Sequence, residues 1–264
     1  IGGLYFLFSI ILLIDIFDSN LKKSLTNYLS FNTSETLKQS SKILILYILL
    51  TFFIFVILKI FDLRSLDSFN LAMTLISSGG FIPVNNLSTI INTNTKEIIF
   101  SLTMLVSFFS IFLSYNLFFI RNKNISFFQE DILLLIYFLT LLIFFYLLFN
   151  FDYNFSVILL SLVSSISNIG ISLEQSPKNL SFIFLILIII GGSFFSTSSG
   201  IRLLKLYALF KFAINNLISH VKPKNIFLNK HFFLDISFEK DEISRYFLSV
   251  LIFIISLFIL TSFL

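Results

Sequence analysis

Charged residues are scarce in this sequence: they make up 12% of its 264 residues, whereas hydrophobic residues make up 57%. Because a soluble domain carries about 25% charged residues, the composition excludes a soluble globule and indicates a membrane protein. Cysteine is absent, which excludes a disulfide framework and a thiolate metal site. Only eight glycines and three prolines occur, so the positions that keep glycine are informative.

Motifs for catalysis and cofactor binding are also missing. The sequence contains no Walker motif, no nucleophile elbow and no pair of carboxylates spaced for acid–base catalysis. Its two histidines, His220 and His231, do not have the spacing of metal ligands. We therefore expect neither an enzyme nor a zinc site, and no cofactor.

Long apolar runs are what the chain does have. A helix needs about 20 apolar residues to cross the hydrocarbon core, and by this criterion we count about six spans. The runs cover residues 4–16, 43–61, 98–120, 132–149, 180–218 with a break after Ile190, and 246–264. Because the first and last runs are cut by Ile1 and Leu264, we expect this to be part of a longer chain.

The basic residues predict the orientation of these spans. Segments 17–42, 121–131 and 202–245 hold 14 of the 18 lysines and arginines, so the positive-inside rule makes them cytoplasmic and makes 62–97 and 151–179 external. Membrane topology thus accounts for the formal net charge of +4, and we expect no binding to nucleic acid.

Each external segment contains a second apolar stretch that is too short to span. The stretches read FNLAMTLISSGGF and FSVILLSLVSSISNIGI, and each ends in a pentad with glycine in fourth place, Gly80 and Gly170. The two glycines are 90 residues apart, which indicates an internal repeat. We interpret Asp67 and Asp152, at the outer ends of the stretches, as helix N-caps rather than ion ligands.

The repeat predicts two re-entrant helices that enter from outside and end inside the membrane. Non-helical backbone at that depth requires a protein-lined, hydrated cavity. The C-terminal end of a half-helix attracts cations, and the turn after it offers carbonyl oxygens. Neither turn contains a carboxylate, which favours a monovalent cation. The alternative is a pair of kinked or interfacial helices with glycine turns.

The run from 180 to 219 is too long for one straight span. Forty helical residues would measure about 60 Å at 1.5 Å per residue, against a hydrocarbon core of about 30 Å. The interruption reads GGSFFSTSSG, from Gly191 to Gly200, and its hydroxyls can satisfy the freed backbone groups. A packing kink made of small residues is the simpler alternative.

The motifs SSGGF, SNIGI and GGSFFSTSSGIRLLKLYALFK, with IGG at the start, resemble the Trk/Ktr/HKT superfamily of potassium transporters, nearest the bacterial Trk membrane subunit. The resemblance covers essentially the whole chain. It implies an all-α polytopic membrane protein built from repeated units of span, re-entrant pore helix and span, as in potassium channels. There would be about six spans plus two pore helices.

The resemblance also implies a domain organisation. Residues 1–16 would end a first repeat, 40–120 would form the second, 131–219 the third, 220–243 a cytoplasmic linker, and 244–264 the first span of a fourth. The first and fourth filter loops would then be absent, so we expect that this chain alone does not conduct.

Residue roles follow by position in the same resemblance. Potassium would be bound by filter carbonyls, with Gly80 and Gly170 at the characteristic glycine. The filter residues would be Ser77, Ser78, Gly79, Gly80, Phe81, Ser167, Asn168, Ile169, Gly170 and Ile171. The sequence departs from the family at Ile171, where Phe is frequent, and at Asn168, where a small hydroxyl residue is usual.

The interruption would form an intramembrane gate loop below the filter, with fewer glycines than the family has. Its residues would be Gly191, Gly192, Ser193, Ser196, Thr197, Ser198, Ser199 and Gly200. Arg202 either marks the cytoplasmic boundary together with Lys205 or meters cations at the inner mouth.

The resemblance further implies a homodimer in the plasma membrane of a bacterium, with potassium as substrate and membrane lipid around it. The basic segment 211–231 would face a cytosolic nucleotide-binding regulatory subunit, or alternatively anionic lipid headgroups.

Three alternatives to potassium uptake stay open. An unrelated secondary transporter with broken helices would need ionisable residues inside its spans, and none lies well inside one. A sodium-selective member of the same superfamily is the second. It stays open because selectivity between sodium and potassium depends partly on the first filter loop of the superfamily, which is not in this sequence. A membrane enzyme or scaffold is the third, and it would need polar groups clustered at one depth.

Overall fold

The computed structural model describes residues 36–110, 129–149, 153–173, 181–193, 196–221 and 240–263. Within these ranges nearly all regular structure is helical, which confirms the predicted all-α class. The helices are α1 (Thr36–Ile60), α2 (Ser65–Ile76), α3 (Asn94–Phe108), α4 (Gln129–Phe149), α5 (Phe155–Ile166), α6 (Ser181–Ile189), α7 (Leu203–Val221) and α8 (Lys240–Ser262), with a 3-10 turn at Leu87–Thr89. Two short strands, β1 (Ile190–Gly191) and β2 (Ile201–Arg202), complete them.

The chain divides into two compact units, Ile1–Gly200 and Ile201–Leu264. The first contains α1 to α6 and the second contains α7 and α8. Within the second unit α7 packs against α8, and Lys205 Nζ donates a hydrogen bond to Ser249 Oγ at 3.1 Å.

The short helices α2 and α5 form the centre of the first unit. Helix α1 packs against α2, α3 contacts both α2 and α5, and α4 and α6 pack on α5. Every residue of α5 from Ser156 to Ile166 is buried, as are Leu71 and Leu75 of α2. A helix with eleven of its twelve residues buried cannot be a surface helix, so α5 is an internal helix of the first unit.

Two of the longer helices have the length and composition of membrane spans. Among the described residues, Glu130–Leu148 in α4 and Asp241–Ser262 in α8 are long and apolar enough to cross a membrane. In α1 the apolar part is the shorter stretch Leu44–Ile60, with Phe52 and Phe53 exposed. The predicted span 4–16 and the second half of 98–120 lie outside the described residues.

The predicted N-cap at Asp67 is wrong. The N-cap of α2 is Arg64 and that of α5 is Asn154, and neither forms a side-chain capping bond. Asp67 instead lies in the first turn of α2, where its charge is still favourable to the helix dipole. The helix begins earlier because Ser68 donates to the Arg64 carbonyl from both its amide and its hydroxyl. Asp152 lies outside the described residues.

Burial of α5 gives a prediction for stability. Leu160→Ala removes a side chain with no exposure, and we expect it to lower the free energy of unfolding by about 2–5 kcal/mol through lost contacts and a cavity. Leu147→Ala in α4 is the matched control, since Leu147 is 69% exposed and should change stability little. Chemical unfolding of the full-length protein in detergent measures both. Equal effects of the two substitutions would contradict the internal position of α5.

Candidate functional site

The first candidate turn, residues 77–81, begins where α2 ends. The amide of Ser78 donates to the Leu75 carbonyl at 3.3 Å, and the amide of Gly79 donates to the Thr74 carbonyl at 2.9 Å. These two bonds define a Schellman motif, which satisfies carbonyls that the helix end would leave free. Ser78 has a φ of +50°, the left-handed conformation that this motif requires of the residue after the C-cap.

The second candidate turn, residues 167–171, repeats this geometry 90 residues later. The amide of Asn168 donates to the Ser165 carbonyl at 3.2 Å, and the amide of Ile169 donates to the Ser164 carbonyl at 3.1 Å. Asn168 has a φ of +58°, and asparagine is among the residues that tolerate this conformation. Since α2 and α5 also have the same length and the same 90-residue offset, the sequence repeat is a structural repeat.

The glycine in fourth place adopts a positive φ in both turns, +69° at Gly80 and +75° at Gly170. Side chains are strained in this region, so the backbone accounts for glycine at these two positions. Their surroundings differ. A methyl group on Gly80 would overlap the carbonyl oxygen of Ile169, whereas one on Gly170 would meet nothing within 4 Å. The two turns therefore approach each other closely at Gly80 and Ile169.

The residue after the glycine differs between the turns. Phe81 is 81% exposed, and its amide donates to Thr74 Oγ1 at 2.8 Å. Ile171 in the second turn is buried, as is Ile169. The second turn is thus packed into the protein, while the first exposes its aromatic side chain.

The loop 191–200 is organised by its serines. Ser193, Ser196 and Ser198 are buried. Ser198 Oγ accepts a hydrogen bond from the Gly192 amide at 2.8 Å and lies 2.9 Å from Ser196 Oγ, which in turn bonds the Ser193 carbonyl at 2.8 Å. Hydroxyl groups therefore satisfy backbone groups in this loop, as the sequence predicted.

On one side the loop is bonded to the end of α3. The amide of Ser193 donates to the Phe108 carbonyl at 3.0 Å, and the amide of Ser198 donates to the Ser107 carbonyl at 3.3 Å. Because α3 ends at Phe108, these bonds use carbonyls that the helix leaves without partners.

On another side the loop contacts both turns through side chains. Ser78 Oγ lies 3.3 Å from Thr197 Oγ1, and Asn168 Nδ2 donates to the Ser199 carbonyl at 2.8 Å. The structure thus brings together the first turn, the second turn and the loop.

The two ends of the loop, Gly191 and Gly200, lie close together. A β-carbon on Gly200 would lie 3.0 Å from the Gly191 nitrogen.

Arg202 is placed in the other compact unit, in β2 before α7, and it is partly buried. Its predicted role at an inner mouth stays a prediction.

Two buried carboxylates at the start of α4 escaped the sequence analysis. Glu130 and Asp131 are both buried, and Asp131 Oδ1 accepts a hydrogen bond from the Ser110 amide at 3.3 Å. The sequence analysis placed them in a cytoplasmic segment beside a span. No local pattern marks them for burial, because the amide that binds Asp131, at Ser110, is 21 residues away.

The groups near the two turns that could bind an ion are neutral oxygen ligands. Among the described residues, no group of three or more His, Cys, Asp or Glu side chains is placed to hold a metal ion. What converges on the two turns is backbone carbonyls, hydroxyls and one amide. Oxygen ligands of this kind suit alkali cations better than transition metals.

Comparison with known proteins first gives the class of fold. No model of a known protein family matches the sequence, and no curated protein matches it either. The structure, however, has an all-helical fold shared with a solved polytopic membrane protein. The solved structure that shows this is the crystal structure of the potassium transporter TrkH from Vibrio parahaemolyticus, with a TM-score of 0.71 and 16% sequence identity. The match covers 93% of this chain and 52% of that one, so the chain spans about half the length of TrkH.

The unequal surroundings of the two glycines give a second prediction. Gly170→Ala should lower the free energy of unfolding by about 1–2 kcal/mol, the cost of a left-handed alanine. Gly80→Ala carries the same cost, and in addition its methyl group forces the Ile169 carbonyl to move, so its effect should be clearly larger. Unfolding of the full-length protein in detergent measures the difference. If both substitutions cost the same, the two turns are not in contact.

Proposed function

We propose that the chain belongs to the pore-forming subunit of a potassium uptake system and is neither an enzyme nor a scaffold. One observation carries the proposal: the two repeated short helices, α2 and α5, end in matching glycine turns that approach each other at Gly80 and Ile169. The fold shared with TrkH supports potassium as the substrate. In this proposal the chain supplies two of the filter turns that a complete pore needs.

The physical basis is backbone coordination. Residues 77–81 and 167–171 lie at the C-terminal ends of α2 and α5, where the helix dipole is negative and attracts a cation. Carbonyl oxygens of such turns can replace the hydration shell of potassium. A monovalent ion is favoured because neither turn contains a carboxylate. Sodium transport by the same turns is the alternative that ion measurements must separate.

In the same proposal the loop 191–200 is a gate. Its contacts with both turns, at Ser78 and Asn168, support a position next to the ion path. The described residues of the loop, 191–193 and 196–200, are held by hydrogen bonds rather than by a continuous helix, so its displacement breaks these bonds without unwinding a helix.

Topology and partners complete the proposal. The distribution of lysine and arginine supports an orientation with the two turns facing outward and 17–42, 121–131 and 202–245 facing the cytoplasm. The bacterial inner membrane as location rests on the fold shared with TrkH. A homodimer and a nucleotide-binding regulatory subunit on the cytoplasmic side are the expected partners, and membrane lipid surrounds the spans.

Growth of a bacterium that lacks potassium uptake tests the proposal. The full-length protein should restore growth at low external potassium, whereas Gly80→Asp should not, because its side chain collides with the second turn and places a charge in the filter. Thr140→Ala, at an exposed position in α4, is the control that should grow like the wild type. Absence of rescue by a wild-type protein present in the membrane would refute potassium uptake, and uptake of sodium alone would favour the sodium-selective alternative.

Deletion of residues 193–199 tests the gate. We expect faster potassium flux through the full-length protein in liposomes, with regulation lost, since the barrier next to the turns is removed. Thr140→Ala, at an exposed position in α4 outside the loop, is the control and should keep wild-type rates. Unchanged flux and unchanged regulation after the deletion would show that the loop only packs.

A further inference from the structure

The repeat places two equivalent residues on the same loop. Ser78 and Asn168 are 90 residues apart, and each is the first left-handed residue after its helix. Their side chains reach Thr197 and Ser199, two positions of one loop. Equivalent positions of the two repeats thus converge on one target, although their side chains differ.

We propose that Ser78 and Asn168 form a latch that holds the loop 191–200 against the two turns and so couples the gate to the filter. The inference rests on the proposed function of both elements. Ser78 and Asn168 are positioning residues here, because they act on the ion path through the loop.

The latch is separate from the bonds that give the loop its shape. The internal bonds of the loop run between Gly192, Ser193, Ser196 and Ser198. Its bonds to α3 use the backbone amides of Ser193 and Ser198 and the Thr197 hydroxyl, which donates to the Ser107 carbonyl at 3.5 Å. Neither set involves Ser78 or Asn168. Loss of the latch should therefore release the loop from the turns without unfolding it.

The two halves of the latch differ in strength. Asn168 Nδ2 donates to a backbone carbonyl at 2.8 Å, which is near the ideal length for such a bond. The hydroxyls of Ser78 and Thr197 are 3.3 Å apart, which is beyond the usual range. Asn168 should therefore contribute more than Ser78. Asparagine fits this position for two reasons. It tolerates the left-handed backbone conformation, and its side-chain amide reaches the loop.

Substitution by glycine isolates the latch from the backbone. Asn168→Gly keeps the left-handed conformation and removes the donor, and Ser78→Gly does the same in the first turn. We expect potassium flux through the unstimulated full-length protein in liposomes to rise about three- to tenfold for Asn168→Gly, the change expected from the loss of one hydrogen bond. Ser78→Gly should give a smaller rise, and the potassium-to-sodium flux ratio should stay at the wild-type value in both.

A matched control exists in the turn between α1 and α2. Asp62 has a φ of +58° and makes no contact with the loop in any described bond. Asp62→Gly therefore changes the backbone in the same way without touching the latch, and comparison with Asp62→Asn accounts for the lost charge. Asp62→Gly and Asp62→Asn should both conduct potassium at the wild-type rate.

The outcomes separate the two proposals. If the wild-type protein carries no potassium, the proposed function fails. If it does, and Asn168→Gly conducts like the wild type or loses selectivity together with its change in rate, the latch is refuted and the proposed function stands.

A cross-link provides a second test that does not depend on loss of a side chain. The chain has no cysteine, so Ser78→Cys combined with Thr197→Cys introduces a single close pair, in a full-length background without other cysteines. Mild oxidation should join them and suppress flux, and a thiol reductant should restore it. Each single variant should not respond to the oxidant. Failure of the pair to cross-link, or full flux when mass spectrometry shows the cross-link, would overturn the latch.

Discussion

The structure depends on one constraint, that backbone amides and carbonyls within the membrane must be hydrogen-bonded inside the protein. The two short helices α2 and α5 meet it with Schellman motifs, in which amides of the turns bond to carbonyls of the last helical turn. The loop 191–200 meets it with serines, since Ser198 accepts from Gly192, and with the carbonyls at the end of α3. These three described interruptions of helix, the two turns and the loop, are therefore also points of contact.

This constraint explains how one backbone plan accommodates different sequences. Both turns have the same bonds and nearly the same φ values, yet Ser78 corresponds to Asn168 and Phe81 to Ile171. The backbone fixes which positions need glycine or a residue tolerant of left-handed φ, and the remaining side chains are free to differ. Those side chains then decide burial, as at Ile171, and contact with the loop, as at Asn168.

Much of the fold was predictable because it rests on local patterns. The 90-residue repeat predicted both short helices, and the two glycines marked the turns after them. The start of α2 was predicted less well, since Asp67 lies inside the helix rather than at its N-cap. Several polar residues near this point could serve as the N-cap. The bonds from Ser68 to the Arg64 carbonyl select the earlier start. Burial of Asp131 could not be predicted, since its partner amide at Ser110 is 21 residues away.

The sequence by itself determined the membrane environment, the repeat and the positions of the glycine turns, because hydropathy and backbone preference act on residues close together in the chain. Only the tertiary structure decided that Gly80 lies against Ile169 and that Ser78 and Asn168 reach the same loop. These contacts join residues between 31 and 119 positions apart. Nothing in a local pattern specifies such pairs, since they arise from the packing of α2, α5 and the loop 191–200 against α3.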